Sequence, residues 1–295
     1  MSHAVQRGSI FLEAAEVLEQ QAFPDKQYVL RLRAPECARR ARPGSFAHIT
    51  CDPALPMRRP MSILRVSPTH GWFECLYKVV GEGSCRLANR RPGDVLSCLG
   101  PIGTTFTLHP RRRRLLLLGG GVGIPPMVFL AESLAADTRA QWRPLVLMGS
   151  EVPFPFETRA STRVVAGLPA EARAGLAPME DQGIASRLAS LQGYAGCYRG
   201  YVTDLAREWL TALDPGARAE TEIFACGPTA MLRAAAQLAQ EFEIPSQVSL
   251  EEFMACGVGG CAGCNVAVQT PEGPTMQRVC VDGPVFDGAS VFLQG

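Results

Sequence analysis

Four cysteines near the C-terminal end constrain the fold of this chain more than any other feature. Cys256, Cys261 and Cys264 follow the spacing C-x4-C-x2-C, and Cys280 comes further along. This spacing, with a fourth cysteine at a distance, is one by which proteins hold a [2Fe-2S] cluster. The glycines between the cysteines permit positive φ angles and leave backbone N–H groups free to point at sulfur. We therefore predict that these four thiolates ligate a [2Fe-2S] cluster.

Structural zinc and simple burial are the two alternatives that the sequence leaves open for these cysteines. Zinc also accepts four thiolates, although its knuckles usually pair cysteines two residues apart at both ends. Burial alone would suit a free cysteine, because it behaves as a small apolar residue. The segment from about residue 247 is Cys- and Gly-rich and too short to build its own apolar core. A bound cofactor should therefore stabilise it.

Composition and charge exclude several classes of protein. The 295 residues suggest roughly two or three domains. They are 47% hydrophobic and 19% charged with a net charge of +1, so no overall field attracts nucleic acid or an anionic membrane. The sequence contains no signal-peptide core and no run of about 18 apolar residues that would span a membrane. We expect a cytoplasmic protein with no nucleic-acid partner and no membrane partner.

The hydrophobic pattern changes once along the chain, and this change predicts the domain organisation. Up to about Leu108, short β-rich runs alternate with Gly- and Pro-containing turns, which is typical of a small antiparallel barrel. After Pro110, apolar strands alternate with helices, as in a doubly wound parallel sheet. We predict an α+β multidomain protein with an antiparallel β-barrel at 1–109, a doubly wound α/β domain at 110–246 and a small [2Fe-2S] segment at 247–295.

A glycine cluster follows the first strand of the predicted α/β domain. Such a cluster between strand and helix lets a pyrophosphate approach the backbone and the N-terminus of the helix. The match to G-x-G-x-x-G is imperfect, since isoleucine stands in place of the third glycine. A tight turn without a ligand accounts equally well for the motif alone. The predicted nucleotide-binding residues are Gly119, Gly120, Gly121, Gly123 and Ile124.

Cys226, Gly227 and Pro228 form a second junction of this kind between a strand and a helix. Junctions at the carboxyl ends of parallel strands line the ligand crevice, so Cys226 could face a nicotinamide ring and is our candidate catalytic residue. The alternative is a buried small thiol followed by a Gly-Pro break. Sequence alone favours that alternative slightly.

A third set of residues lies in the predicted barrel. It combines a cation, a hydroxyl and a glycine turn, the groups needed to hold a dinucleotide pyrophosphate and to hydrogen-bond the edge of a flavin ring. By chemistry alone this signal is weak, because Arg-Pro before a strand is common at protein surfaces. The candidates are Arg59, Pro60, Met61, Ser62, Leu76, Tyr77, Lys78, Gly83 and Ser84.

Taken together and in this order, the motifs resemble those of the ferredoxin-NADP reductase superfamily. More narrowly, they resemble those of the electron-transfer subunits of class B dihydroorotate dehydrogenases, over nearly the whole chain. Ser84 stands where the family usually has Thr, and Ser45 where many relatives have Gln. The segments that carry the resemblance are Arg59–Ser62, Gly81–Ser84, 119–126, Cys226–Pro228, 249–264 and 278–286.

This resemblance implies FAD in the barrel cleft, NAD(H) against the second domain and the cluster beyond the flavin. It also implies an FMN-containing dihydroorotate dehydrogenase catalytic subunit as partner in a heterotetramer, and a role in pyrimidine biosynthesis. Electrons would pass from FMN through the cluster and FAD to NAD+. A flavin and iron–sulfur subunit of a bifurcating ferredoxin-NADP or sulfide dehydrogenase is the enzymatic alternative, and a zinc-containing flavin-binding regulatory module the non-enzymatic one. None of the four histidines lies in a motif, and we assign all of them to surface or core.

Overall fold

The N-terminal part of the chain forms a closed barrel of six antiparallel strands in the order β1-β2-β5-β4-β3-β6. The structure is a computed structural model that describes residues 8–139 and 141–293. The predicted antiparallel barrel is confirmed. Its elements are β1 (Phe11–Phe23), β2 (Gln27–Arg33), α1 (Pro35–Arg40), β3 (Phe46–Ile49), β4 (Arg59–Ser67), β5 (Trp72–Lys78), α2 (Glu82–Ala88) and β6 (Val95–Ile102).

Strand β3 shows how the barrel divides its residues between two environments. Ala47 and Ile49 point into the barrel and belong to its core. Phe46 and His48 alternate with them and therefore point outward, since successive strand residues face opposite sides. Phe46 packs in a different apolar cluster, one that includes residues of the C-terminal segment. The outer face of β3 is thus covered by the rest of the molecule.

The second part of the chain is an α/β domain whose principal sheet has the order β11-β8-β7-β12-β13-β16, where β16 (Val285–Asp287) comes from the C-terminal segment. Five neighbouring strands of this sheet are parallel to one another: β11, β8, β7, β12 and β13. The last strand, β16, is antiparallel to β13. The elements up to β13 are β7 (Arg114–Gly120), α3 (Ile124–Ala136), β8 (Arg143–Gly149), β9 (Thr158–Ala160), β10 (Ala174–Leu176), α4 (Ala177–Asp181), β11 (Ala185–Ala189), α5 (Val202–Thr211), α6 (Pro215–Ala219), β12 (Thr221–Cys226), α7 (Thr229–Glu241) and β13 (Ser246–Ser249).

Strand β7 is buried on both faces, as its run of four leucines predicts. Leu116 and Leu118 pack in one apolar cluster, with residues of α5 and α7. Leu115 and Leu117 pack in another, with residues of α3. Helices therefore cover both faces of the sheet, which confirms the predicted doubly wound architecture. No helix in the described part of the chain is long and apolar enough to cross a membrane.

The C-terminal segment contains β14 (Asn265–Thr270), β15 (Gly273–Arg278), β16 (Val285–Asp287) and α8 (Gly288–Phe292). Strands β14 and β15 form a hairpin, whereas β16 extends the sheet of the α/β domain. The Thr104 backbone N–H donates to the Gly283 carbonyl, so the same segment also contacts the chain just after the barrel. The predicted boundary at 246/247 falls inside β13, because the sheet continues into the C-terminal segment.

A direct contact also fixes the barrel against the α/β domain. Arg65 on β4 forms an ion pair with Glu132 on α3, with Nη2 and Oε1 2.7 Å apart. Both side chains are largely shielded from solvent, so the pair is screened less than a surface pair would be. The barrel and the α/β domain are therefore joined by a direct contact between β4 and α3.

Candidate functional site

Three of the predicted ligand cysteines lie in one loop, here called the cluster loop (residues 254–264). The fourth, Cys280, follows β15 and lies next to that loop. Their thiols associate in two pairs: Cys256 lies within hydrogen-bond reach of Cys261, and Cys264 within reach of Cys280. The Val258 backbone N–H donates to Cys256 Sγ, with nitrogen and sulfur 3.4 Å apart. The loop folds tightly because Gly257 and Gly259 in it adopt left-handed φ angles.

Backbone amides make one of the four thiols easier to ionise. Burial opposes ionisation of Cys256, but N–H donors from Val258, Cys261 and Gly260, together with the Cys261 thiol, lower the pKa of Cys256 to about 7. In contrast, burial and the neighbouring Cys264 thiol raise the pKa of Cys280 to about 12. Thiolates this close repel each other, so a cationic metal centre is the natural group to hold all four ionised.

The donor set fits a two-iron cluster better than a single metal ion. A [2Fe-2S] cluster takes four terminal thiolates, two on each iron, and the two thiol pairs match that demand. A structural zinc ion would draw all four sulfurs to one centre. The pairing of the four thiols therefore fits iron–sulfur ligation.

The cluster loop lies against the outer face of the barrel. A Cβ atom on Gly257 would come within 2.7 Å of His48 Nδ1, so the glycine is required for this approach. Gly257 has φ +69°, and Met254 at the start of the loop is buried. His48 in turn pairs with Pro60 across β3 and β4. One barrel residue thus separates the cluster loop from the predicted flavin segment.

The predicted flavin residues on β4 and β5 divide between the two faces of the barrel. Met61 and Tyr77 belong to the barrel core. The Tyr77 hydroxyl donates to Gln20 Oε1 at 2.9 Å, and burial raises its pKa. Their side chains are therefore structural, and only their backbone could reach a cofactor. The residues that alternate with them on the two strands face outward: Pro60, Ser62, Leu76 and Lys78.

Strands β4 and β5 diverge next to these residues. Their pairing runs from Ser67 and Trp72 to Ile63 and Cys75, and the described ladder ends there. The backbone groups of residues 76–78 on the β4 side are therefore left for another partner, as a flavin ring edge would require. This divergence gives the predicted segment a physical reason to bind a planar heterocycle.

The predicted phosphate turn lies beside the predicted cation. A Cβ atom on Gly83 would come within 3.0 Å of the Arg59 guanidinium, so Gly83 makes room for it. The Ser84 hydroxyl accepts hydrogen bonds from the backbone N–H groups of Val80 and Gly81 at 3.0 and 3.1 Å. Ser84 therefore caps the first turn of α2, a role that its sequence motif does not reveal.

The predicted nucleotide turn lies between β7 and α3 and touches the turn after β12. A Cβ atom on Gly123 would lie 2.4 Å from the backbone of Cys226 and Gly227, and one on Gly120 would lie 2.5 Å from Met231 Sδ. Gly121 has φ +54° and faces open space. The glycines thus allow close packing of the two predicted nucleotide turns as well as access for a phosphate.

Cys226, the candidate catalytic residue, is fully buried. Burial raises the pKa of its thiol far above the ordinary value, while a side-chain hydrogen bond with Ser249 acts in the opposite direction. The thiol is therefore protonated at neutral pH and is not a nucleophile. Its predicted place beside a nicotinamide ring stays a prediction. The following residues, Gly227 and Pro228, line a cavity of about 220 Å³ whose other wall is formed by the C-terminal segment.

Two residues of this region are not identified by sequence reasoning. His48 lies in no motif and is expected at the surface or in the core, yet it lies between the cluster loop and the flavin segment. Phe253 is 95% exposed immediately before the cluster loop. A single exposed apolar side chain is common at protein surfaces, so its place beside the cluster loop is what makes Phe253 a candidate contact with another molecule. Only the position of Phe253 next to the cysteine motif could have drawn attention to it.

Comparison with known proteins identifies the same region independently. The family model described as the iron-sulfur cluster binding domain of dihydroorotate dehydrogenase B matches residues 251–292. The electron transfer subunit of dihydroorotate dehydrogenase B (NAD(+)) from Desulforamulus reducens is 31% identical over 284 residues, covering 95% of this chain and 98% of that protein. The same subunit from Bacillus caldolyticus is 32% identical over 290 residues, with the same coverage.

Solved structures give the same architecture. The structure of an NADH-dependent reduced ferredoxin-NADP oxidoreductase, described for flavin-based electron bifurcation, is 26% identical with a TM-score of 0.73, covering 95% of this chain and 90% of that one. The ferredoxin reductase of carbazole 1,9a-dioxygenase is 22% identical with a TM-score of 0.61, covering 80% and 67%, and supports the fold alone. With full-length relatives above 30% identity, the chain belongs to the family of dihydroorotate dehydrogenase B electron transfer subunits.

Proposed function

We propose that this chain passes electrons between the FMN of a dihydroorotate dehydrogenase catalytic subunit and NAD+, through a [2Fe-2S] cluster and FAD, in pyrimidine biosynthesis. The observation that carries the proposal is the position of the two thiol pairs. Three of the four thiols lie in the cluster loop, which packs on the barrel face that also bears the flavin segment, and Cys280 pairs with Cys264 of that loop. An electron relay requires the cluster and the flavin to lie close to each other, whereas a purely structural metal has no such requirement.

The cluster end of the relay uses Cys256, Cys261, Cys264 and Cys280 as its ligands. Backbone N–H groups of the loop point at sulfur, which stabilises negative charge there. Arg278 lies near the Cys280 and Cys264 sulfurs, and it donates to the Gly259 carbonyl at 3.1 Å. The arginine therefore closes the loop, and its charge is paired with Asp282, whose Oδ2 lies 3.1 Å from Arg278 Nε.

The flavin end of the relay uses the outer face of β4 and β5. Arg59 supplies positive charge next to Gly83, where a pyrophosphate would be held. Ser62 and the unpaired backbone edge of residues 76–78 supply the hydrogen bonds for the ring. FAD, when bound, exchanges two electrons with nicotinamide and single electrons with an iron–sulfur cluster. No residue of this chain has to act as an acid or a base in that exchange.

The nucleotide end uses the two adjoining turns after β7 and β12. Residues 119–124 present backbone N–H groups at the start of α3, where the helix dipole favours an anion. Gly227 and Pro228 line the cavity beside the C-terminal segment. At about 220 Å³, this cavity is smaller than the roughly 300–1,000 Å³ of a complete small-molecule site, so it would hold only part of NAD(H).

We also propose the division of labour along the chain and its setting. Residues 1–109 bind FAD, 110–246 bind NAD(H), and 247–295 hold the cluster, with the catalytic subunit completing a heterotetramer. All 11 cysteines are free. Free thiols and an iron–sulfur centre both suit a reducing compartment, which supports a cytoplasmic location.

A bifurcating oxidoreductase subunit is the second candidate. Its support is the bifurcating enzyme of similar fold, which matches over 95% of this chain. The relatives above 30% identity carry the dihydroorotate dehydrogenase B name instead. The companion chain decides between the two, because only the first candidate requires an FMN-containing dihydroorotate dehydrogenase.

The test is anaerobic reduction of the purified chain by NADH, followed in the visible spectrum. We expect flavin bands together with broad iron–sulfur absorption, and both should bleach. The variant Cys264→Ala should keep the flavin bands and their bleaching by NADH, but lose electron transfer to the catalytic subunit. The matched control is Cys85→Ala, an exposed cysteine outside the cluster, which should leave both readouts unchanged. Full coupled activity of Cys264→Ala would contradict the proposal.

A further inference from the structure

His48 is a buried polar side chain that the relay described above does not use. Its exposure is 0%, and neither ring nitrogen has a hydrogen-bond partner among the described residues. A buried donor or acceptor without a partner costs about 1–3 kcal/mol, so such a group is rarely kept without a reason. A leucine or valine would fill the same place on β3 without that penalty.

The surroundings of the ring show what it faces. Nδ1 lies against Gly257, the residue that follows the first ligand cysteine. On its own sheet, His48 pairs with Pro60 of the flavin segment and with Leu99 of β6. The backbones of Met254 and Arg58 border the ring without completing a hydrogen bond of good geometry. The imidazole is therefore enclosed by the cluster loop on one side and by the flavin segment on the other.

Burial, and after it the charge of Arg58, lower the pKa of His48 below its ordinary value. A neutral imidazole still carries one N–H donor. Hydrogen bonds to the sulfurs are among the main determinants of an iron–sulfur reduction potential, because they stabilise the more negative reduced state. A donor enclosed in protein acts more strongly than one in water.

We propose that His48 is a positioning residue for the [2Fe-2S] centre, whose ring N–H stabilises the reduced cluster from the barrel side. It places the cluster loop on the barrel through its contact with Gly257, and it raises the reduction potential of the cluster. The flavin is the other group that His48 could serve, because Pro60 adjoins it. The contact of Nδ1 with the cluster loop favours the cluster, and the experiment separates the two.

The experiment measures the cluster and flavin potentials of the reconstituted holoprotein by a redox titration followed by EPR and visible absorption. His48→Phe keeps a planar ring and removes the donor, whereas His48→Gln keeps a donor. Ile49→Val is the matched control, since this neighbouring residue points into the barrel. Iron and acid-labile sulfide are determined for each variant, so the test does not depend on turnover.

In His48→Phe we expect the cluster to be about tenfold harder to reduce, which is about 59 mV for one electron, at an unchanged flavin potential. His48→Gln should recover most of the shift, and Ile49→Val should show none. Loss of the cluster from His48→Phe but not from His48→Gln would also support the inference. The inference would be overturned if both His48 variants kept the wild-type cluster potential or if both lost the cluster. It would also be overturned if only the flavin potential shifted, or if Ile49→Val shifted the cluster potential equally. The inference rests on the proposed function, whose own failure would show separately as a wild-type protein without iron.

Discussion

Replacing Gly257 by alanine is the sharpest test of how the cluster loop lies on the barrel. The new Cβ atom meets two obstacles, a left-handed backbone at φ +69° and the His48 ring at 2.7 Å. The left-handed conformation costs about 1 kcal/mol for a residue other than glycine. Overpacking against a buried ring adds about 1–3 kcal/mol. The seated loop should therefore lose about 2–4 kcal/mol relative to the open loop.

At about 1.4 kcal/mol for each factor of ten, this loss increases the open fraction of the loop roughly 30- to 700-fold. Because the cluster is released from the open loop, the rate of iron transfer to a chelator should rise by a similar factor. Gly260→Ala is the matched control in the same loop: its Cβ atom meets nothing within 4 Å, and its φ is not positive. That variant should release iron at close to the wild-type rate.

A double variant separates the two contributions. In a His48→Ala background the steric obstacle is gone, so Gly257→Ala should retain only the left-handed penalty, about 1 kcal/mol or roughly fivefold in rate. Equal release rates from Gly257→Ala and Gly260→Ala would refute the reasoning. So would an undiminished effect of Gly257→Ala when His48 is absent.

Two further predictions concern the nucleotide turn and the partner. Gly123→Ala places a Cβ atom 2.4 Å from the backbone of Cys226 and Gly227. We expect it to lower the free energy of unfolding by about 3 kcal/mol in thermal unfolding and to raise the KM for NADH. Gly121→Ala, in open space at φ +54°, should lower the free energy of unfolding by only about 1 kcal/mol, and the reverse order would contradict the packing described here. Phe253→Ser should weaken binding of the catalytic subunit at least tenfold in a titration, with unchanged spectra, because an aromatic side chain that becomes buried in an interface is a typical hot spot. The control Val164→Ser changes another exposed apolar residue and should have no effect.

The parts of the fold that the sequence predicts best are those in which local pattern and tertiary packing agree. The strand Gln27–Arg33 lies among the β-rich runs, and the helix that ends at Ala136 follows the first apolar strand of the α/β domain, as the sequence predicts. Strand β1 does not stand out as a strand in the sequence. Its residues, FLEAAEVLEQQAF, are rich in Ala, Glu, Gln and Leu, which favour a helix. Pairing with both β2 and β6 to close the barrel overrides that preference.

The candidate site divides in the same way. The convergence of the four cysteines could be predicted, because their spacing is one that a [2Fe-2S] cluster requires. Their role as ligands stays a prediction. The position of His48 could not, since its importance comes from a contact with Gly257, which lies far away in the sequence. Likewise, nothing local distinguishes Tyr77, whose side chain turns into the barrel, from Leu76, whose side chain turns outward. Such assignments depend on strand register, which only the folded chain fixes.

The most direct measurement is the metal and sulfide content of the anaerobically purified chain, combined with EPR after reduction. We predict two iron atoms and two acid-labile sulfides per chain and a signal from a reduced [2Fe-2S] centre, all lost when Cys280 is replaced by alanine. Zinc in place of iron, or iron without acid-labile sulfide, would contradict the claim that these four thiolates hold an electron-carrying cluster.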